Sequence, residues 1–299
     1  MRSLVEFAMR GRLQALFLAV AGAGSVLFCW LSAAIVALVT LRKGTGEGLW
    51  LLLWALLPAG TIAFIYGDSG PLALLVATTA LAVVLRSTVS LSLTVLAAVG
   101  VALVVGLAMM VFGEAYLAQM VDAFDQFLGS LEENYFQGRE EAVQLPRPVP
   151  VQIAGMLGAG TASMSVLCLL LARYWQAALY NPGGFGTEFR ALRYPVTVSG
   201  ALVLAGLVAS TLGLEYRTWA MIFFIPLSFA GLALVHARAA SRGGGSGWLS
   251  VFYVAWVLFD PVKLVVVMFA IADSWFDFRQ RWGNPPGPPQ DDVRQDEQD

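Results

Sequence analysis

The chain has 299 residues, of which 58% are hydrophobic and 13% are charged, and its formal net charge is −2. Soluble domains carry about 25% charged residues, and the mean hydropathy here is +0.73, so water is not the main solvent around this protein. The basic residues form no long run, and the acidic residues concentrate in 114–141 and after Asp291, a distribution that excludes a nucleic-acid-binding surface. Long apolar runs predict an all-α fold, a polytopic transmembrane helix bundle of about 8–10 membrane segments.

Residues 1–113 are predicted to form the N-terminal group of membrane helices. Leu13–Leu41 is too long for one upright helix, and two interpretations follow: one tilted helix, or a tight pair of helices over about 5–25 and 27–41. The pair would keep the basic residues of this region on one side of the membrane, as the positive-inside rule favours. Those residues are Arg2, Arg10, Arg12, Arg42 and Lys43. The other spans of this region are predicted near 49–65, 71–86 and 88–112, and Arg86 marks a cytoplasmic turn.

Residues 114–149 are predicted to form an amphipathic extramembrane helix followed by a proline-rich loop. Apolar side chains recur there at helical spacing, opposite acidic and amide side chains. The apolar positions are Leu117, Met120, Val121, Phe124, Phe127, Leu128 and Leu131. The polar face is acidic, whereas a helix on an anionic leaflet would carry lysine and arginine. The pattern therefore favours packing on the periplasmic end of the protein itself over electrostatic binding to lipid.

Residues 150–281 are predicted to form the C-terminal group of membrane helices. The spans are expected near 151–178, 195–213 and 217–237. A last apolar region follows at 248–272. Residues 282–299 contain prolines and mainly polar side chains, cannot bury a core, and are predicted to be a disordered acidic tail.

The last apolar region is interrupted by Asp260, Pro261 and Lys263. If the region crosses the membrane once, the C-terminus lies outside. If it bends back at the proline, Arg279 and Arg281 stay inside, and this second arrangement is favoured. The acid and the base are three residues apart and would share a face of a continuous helix. A buried ion pair, an interfacial turn and a site that handles substrate or protons are the three alternatives for this candidate functional pair.

A candidate cytoplasmic docking loop follows the long span near 151–178. The helix leaves the membrane there through aromatic residues and stops at a glycine-rich turn. Its ion-pairing groups lie on an exposed loop, where function tends to gather. The alternative is an interfacial anchor that binds no partner. The candidate residues are Arg173, Trp175, Asn181, Pro182, Gly183, Gly184, Phe185, Glu188, Arg190 and Arg193.

The sequence predicts no catalytic, metal-binding or cofactor-binding residue, and the protein is not expected to be an enzyme. It contains no HExxH, CxxC or Gly-x-Ser-x-Gly pattern, which would indicate a metal site or an activated nucleophile. The single histidine, His236, lies at a cytoplasmic helix end and fits an interfacial side chain. Cys29 and Cys168 lie in apolar segments and are predicted to be core residues rather than a disulfide.

Three stretches of the chain carry a resemblance to a known family. They are MRGRLQALFLAV (Met9–Val20), FCWLSAAIVALVTLRKG (Phe28–Gly44) and ARYWQAALYNPGGF (Ala172–Phe185). They resemble the uncharacterised YybS-like bacterial membrane proteins, and the likeness covers most of the chain up to Arg281. That family is similar in hydropathy to the substrate-binding S-components of energy-coupling-factor vitamin transporters and, more distantly, to the rod-shape protein MreD.

The resemblance implies an S-component-like bundle with cytoplasmic termini and a ligand pocket toward the outer face. An external loop would cap that pocket, and 114–149 is the candidate for it. No vitamin-contact motif of the S-components matches this sequence residue by residue, so no ligand contact is carried over. Fold-level likeness does not by itself determine function.

The leading hypothesis is an integral protein of the bacterial inner membrane, a transporter-like component that binds a small molecule or a lipid within its bundle and has no ATPase of its own. The alternative is a scaffold whose cytoplasmic loops recruit cell-envelope or cytoplasmic partners, in the manner of MreD. A membrane enzyme comes third. The expected partners are membrane lipids, with a small-molecule ligand under the first hypothesis, membrane or cytoplasmic proteins under the second, and no nucleic acid.

Overall fold

The computed structural model describes residues 2–136, 145–243 and 246–283. The regular elements in these ranges are helices, without a β-strand, as predicted. The predicted tail lies outside the described residues from residue 284 onward. In chain order the elements are α1 (Arg2–Arg10), α2 (Arg12–Ala23), α3 (Cys29–Lys43), α4 (Thr45–Tyr66), α5 (Gly70–Thr88), α6 (Leu91–Phe112), α7 (Glu114–Phe136), α8 (Pro150–Tyr180), α9 (Gly184–Arg190), α10 (Val196–Thr211), a 3-10 helix (Leu214–Tyr216), α11 (Arg217–Ile222), α12 (Ile225–Ser241), α13 (Ser246–Leu258), α14 (Asp260–Phe276) and α15 (Phe278–Gly283).

Four of the described helices, α4, α5, α6 and α8, are long and apolar enough to cross a membrane. The number is six if each of two bent pairs counts as one span: Leu214–Ile222 with α12, bent by 48°, and Gly247–Leu258 with α14, bent by 115°. The protein is therefore a multi-pass membrane protein, with fewer spans in its described ranges than the about eight to ten expected. Two apolar runs form α2 and α10, of 12 and 16 residues. Such helices are shorter than the roughly 20 residues that cross the hydrocarbon core upright.

The first long apolar run forms two helices, as the second of the two interpretations, a tight pair of helices, predicted. α2 and α3 join at a short turn and pack against each other, and the Ser32 hydroxyl donates to the Ala19 carbonyl at 2.7 Å. A methyl group on Gly22 would lie 3.1 Å from the Ser32 Cβ, so a small residue permits this close approach. Residues 33–41 are all buried, because α3 lies at the centre of the bundle between α2, α4, α5 and α8.

The two ends of the bundle differ in charge. At one end the Arg86 guanidinium donates to the Leu41 carbonyl at 2.6 Å, and the Arg42 guanidinium lies 4.0 Å from the ring centre of Tyr180. We call this the basic end. Its described basic residues are Arg10, Arg12, Arg42, Lys43, Arg86, Arg173, Arg190, Arg193, Arg238, Arg242, Arg279 and Arg281. The positive-inside rule predicts that this end faces the cytoplasm.

The opposite, acidic end is covered by α7. Its apolar face packs on α6 and α8, as the helical spacing predicted, although Phe127 is exposed. Arg147 forms ion pairs with Asp125 at 2.6 Å and with Glu132 at 2.9 Å, and so holds the proline-rich segment against α7. The hydrogen bond from Arg147 lowers the pKa of Glu132 below its ordinary value.

Candidate functional site

The predicted docking loop lies at the basic end, where α8 stops and α9 packs against α8 and α12. The turn between the helices depends on two glycines. Gly183 is left-handed, with φ 86°, a conformation that glycine adopts without strain. A methyl group on Gly184 would lie 2.4 Å from the Asn181 side-chain nitrogen. The glycine-rich run therefore serves the tight turn into α9.

A row of aromatic rings joins α9 to the neighbouring helices. Phe185 contacts the rings of Tyr174 and Phe189, with 5.9 Å between ring centres in each case. Phe189 meets the edge of His236 at 5.4 Å, and His236 Nε2 lies 2.7 Å from the Tyr253 hydroxyl. The histidine thus connects α12 to α13. In the described part of the chain, no three histidine, cysteine or acidic side chains lie close enough together to hold a metal ion.

Three charged groups of the loop, Arg173, Glu188 and Arg193, are paired within the protein. Arg173 Nε donates to the Glu188 carboxylate at 2.8 Å, and Arg173 Nη1 donates to the Gln176 amide oxygen at 2.9 Å. Arg193 donates to the Asp277 carboxylate at 2.8 Å, and this hydrogen bond lowers the pKa of Asp277. A docked partner would have to compete with these contacts for the same groups.

The buried ion pair of the C-terminal region joins Asp273 and Arg279, a pair that the sequence analysis missed. Asp273 is 3% exposed, and its carboxylate lies 3.2 Å from Arg279 Nε. The same guanidinium donates to the carbonyl oxygens of Arg190 at 2.6 Å and Leu192 at 2.9 Å, and at 3.4 Å to that of Ala230. Burial lowers the pKa of Arg279, and the attraction of Asp273 opposes this shift. One side chain thereby fastens α12, α14 and the end of α9 together.

A sharp turn after α14 creates this pair. Asp277 ends the helix with φ 42°, a left-handed conformation in which aspartate is enriched among residues other than glycine. The turn brings Arg279 back toward Asp273, and the Phe278 N–H donates to the Asp273 carboxylate at 3.0 Å. A lone acid inside an apolar run, followed closely by arginine, is the signal that could have indicated the pair.

The predicted pair Asp260 and Lys263 forms at the surface of the bundle. Lys263 Nζ lies 2.7 Å from Asp260 Oδ1, and the side chains are 45% and 89% exposed, respectively. Both residues lie at the start of α14, just after the chain bends by 115°. Pro261 occupies the first turn of α14, where its missing N–H costs no helical hydrogen bond. The structure therefore contradicts the buried-pair alternative and has a turn that returns α14 to the basic end.

A pocket of about 370 Å³ opens at the basic end, between the carboxyl-terminal parts of α3, α5 and α8 and the side of α9. We call it the basic-end pocket. It is lined by Leu41, Leu85, Arg86, Val89, Arg173, Gln176 and Glu188. Arg86 Nη1 donates to the carbonyl oxygens of Thr40 at 3.3 Å and Leu41 at 2.6 Å, so its guanidinium is held at the end of α3.

Four of the ten candidate residues of the loop take part in contacts already described: Gly184 lies in the turn, Phe185 in the row of rings, the Arg190 carbonyl accepts from Arg279, and Arg193 pairs with Asp277. The other six divide into three groups. Arg173 and Glu188 contribute to the basic-end pocket. Trp175 is 3% exposed and belongs to the hydrophobic core, so its prediction as a docking residue is wrong. Asn181, Pro182 and Gly183 are exposed at the turn. The sequence analysis missed the pocket itself, because its walls come from helices that are far apart in the chain.

No protein-family model, curated protein or solved structure matches this chain. The resemblance to the YybS-like family, and through it to the S-components and MreD, therefore stays a prediction that rests on the three quoted stretches. The fold itself defines the class of the protein, a multi-pass α-helical membrane protein.

Proposed function

We propose that this protein is a transporter-like membrane component that binds a small molecule or a lipid and has no ATPase of its own. The observation that carries the proposal is the basic-end pocket. Its volume of about 370 Å³ falls in the range of ligand sites, roughly 300–1,000 Å³. This pocket lies at the basic end, whereas the resemblance to S-components implies a pocket toward the outer face.

The lining of the pocket suits a ligand with both polar and apolar parts. Leu41, Leu85 and Val89 supply an apolar side, and the opposite side is polar and charged. On that side Arg173 is hydrogen-bonded to both Gln176 and Glu188, so the wall exists before a ligand arrives. A preformed wall reduces the ordering entropy that binding would otherwise lose.

The same contacts favour the binding hypothesis over the scaffold hypothesis. A loop that recruits partners needs side chains that can reach them, but Glu188 and Arg193 are engaged with Arg173 and Asp277. The loop is better suited to be one wall of a pocket. Recruitment of cell-envelope or cytoplasmic partners remains the alternative to be tested beside it.

The test uses the full chain purified in mild detergent, with native mass spectrometry and thermal unfolding as readouts. Gln176→Trp places a large ring in the basic-end pocket. Gln119→Trp is the matched control, because it makes the same change on the exposed face of α7 at the opposite end. We expect a bound small molecule or lipid on the wild type, and a loss of that species from Gln176→Trp but not from Gln119→Trp.

Two results would refute the proposal. In one, Gln176→Trp and Gln119→Trp retain the bound species equally, which would show that the species does not bind in the basic-end pocket. In the other, no species co-purifies and neither lipids nor metabolite mixtures raise the melting temperature of the wild type. Specific capture of a purified cytoplasmic partner that is lost on changing the exposed residues Asn181 and Pro182 would then support the scaffold.

A further inference from the structure

We infer that the basic-end pocket binds the phosphate group of an anionic phospholipid, and that Arg86 is its principal cationic contact. The inference rests on the proposed function and names the ligand class of that site. It follows from three observations: the unused donors of Arg86, the charge balance of the pocket, and the apolar, strained residue at its edge.

Arg86 is fixed in place, yet part of its guanidinium is unused. Nη1 donates to the two carbonyl oxygens at the end of α3. Arginine has five N–H donors, and among residues 2–136, 145–243 and 246–283 the hydrogen bonds of the Arg86 side chain are those of Nη1, so Nε and Nη2 remain available to a ligand. A guanidinium held rigidly on one side and open on the other is suited to two parallel hydrogen bonds to a phosphate.

The charges that line the pocket leave one cation uncompensated. Arg173 Nη2 lies 2.7 Å from the Glu188 carboxylate, so these two groups neutralise each other. Arg86 has no such partner among the described residues. Arg42 and Lys43, at the end of α3, add positive potential to the same end of the bundle. Arg86 is exposed at the mouth of the pocket, so an anion can reach a guanidinium that no carboxylate neutralises, and a charge-assisted hydrogen bond to it would be among the stronger ones that the pocket offers.

Val89 indicates that the ligand also has an apolar part. Val89 ends α5 in the left-handed region, with φ 52°. At the equivalent position, α4 ends with a glycine, Gly67, whose φ is 72°. A β-branched residue in this conformation is strained, and such strain is concentrated at functional sites. The Val89 side chain is 83% exposed at the edge of the pocket, beside Leu85 and Leu41.

A phosphate next to an apolar surface, at the end of membrane helices, describes a phospholipid better than a soluble anion. Basic pockets between helix ends on the cytoplasmic side bind anionic headgroups in this way. The apolar side formed by Leu41, Leu85 and Val89 would contact the glycerol and the first part of the acyl chains. A soluble phosphate would leave that side exposed to water and would gain nothing from it.

The experiment reconstitutes the full chain in nanodiscs of phosphatidylcholine, with or without phosphatidylglycerol. We expect phosphatidylglycerol to raise the melting temperature of the wild type and to remain bound in native mass spectra. Arg86→Gln should weaken this retention about tenfold, as loss of a charge-assisted hydrogen bond does. Arg242→Gln is the matched control, because it removes an exposed positive charge from the same end without touching the pocket.

Val89→Gly keeps the test decisive even if Arg86→Gln fails to fold. It should raise the melting temperature, because glycine relieves the left-handed strain, and at the same time weaken retention of phosphatidylglycerol. A variant that is more stable but binds less cannot be explained by damage to the fold. Unchanged retention in Val89→Gly would overturn the lipid assignment.

The remaining outcomes separate this inference from the proposed function. Equal retention of phosphatidylcholine and phosphatidylglycerol would overturn the preference for an anionic lipid, because both headgroups carry a phosphate and only the second has a net negative charge. Equal losses in Arg86→Gln and Arg242→Gln would overturn Arg86 as the phosphate contact but leave a ligand in the pocket. Stabilisation by inorganic phosphate equal to that by phosphatidylglycerol would overturn the lipid and keep the phosphate. Retention that Gln176→Trp does not change would refute the site, and the proposed function with it.

Discussion

Replacing Arg279 by methionine should destabilise the basic end more than any other single loss of charge there. Methionine retains apolar length, but it leaves the Asp273 carboxylate buried without a cation. It also removes the donors to the carbonyl oxygens of Arg190 and Leu192. Breaking a buried ion pair by removing one partner costs about 3–5 kcal/mol. We expect the free energy of unfolding of Arg279→Met to fall by at least this amount.

The partner substitution should cost less. In Asp273→Asn the amide oxygen can still accept from the Phe278 N–H, and Arg279 keeps its backbone acceptors. The expected loss is therefore about 1–3 kcal/mol, the range for an impaired buried hydrogen bond. The double variant should lose less than the sum of the two single losses, because it contains no unpaired buried charge.

Unfolding in mixed detergent micelles measures these differences, with Arg281→Met as the control. Arg281 lies on the same short helix and is exposed, so its removal should cost under about 1 kcal/mol. The reasoning would be refuted by an Arg279→Met variant that unfolds at the same denaturant concentration as Arg281→Met. Strict additivity in the double variant would show that Asp273 and Arg279 do not interact.

Asp260→Asn and Lys263→Met should each lower the free energy of unfolding by under about 1 kcal/mol, because exposed pairs contribute little. A loss of about 3 kcal/mol in micelle unfolding would mean that the pair is buried in the assembled membrane protein. A cysteine at Ser130, with both native cysteines replaced, should react with a membrane-impermeant thiol reagent on intact cells, and one at Thr187 only after lysis. The reverse labelling pattern would overturn the orientation. The pKa of Glu132 is lower in the folded protein than in the unfolded chain, where it is about 4.3. The ion pair with Arg147 therefore stabilises the packing of α7 at pH values above about 4.3, and this stabilisation is lost as the pH falls through the pKa of Glu132 in the folded protein. Protease cleavage of the proline-rich segment should therefore increase in acid, and Glu132→Gln should show that increase already at neutral pH; equal resistance of the variant and the wild type would contradict the pairing.

Periodicity and length predicted much of the fold because they report on local physics. The apolar spacing of α7 predicted its packing face, and the charged flanks of α2 and α3 favoured the helix pair that the structure contains. The number of spans was harder to predict, because hydropathy does not reveal whether an apolar run forms one helix or breaks. The run before Ser241 breaks near Phe224 and bends by 48°, and α10 is short, although no charged residue interrupts either helix at these points.

The candidate site was predicted less well, because burial is decided by the whole fold. The spacing of Asp260 and Lys263 indicated that they could pair, but it left a buried pair, an interfacial turn and a functional site open, and only the fold places the pair at the surface. Asp273 and Arg279 are six residues apart and would not face each other on one helix. Only the left-handed turn at Asp277 brings them together, and the sequence gives no strong signal for that turn.

The complete burial of α3 has a consequence for the order in which the protein assembles in the membrane. α3 is synthesised long before α8, and α8 covers one side of α3 in the finished fold. Until α8 is inserted, that side of α3 faces lipid. Its buried hydroxyls do not depend on the later helix, because Ser32 donates to α2 and Thr40 donates to its own helix. Apolar side chains lose little by facing acyl chains in place of other side chains. The helices α2, α4 and α5 can therefore pack around three sides of α3 in the bilayer, and α8 covers the remaining side when it is inserted.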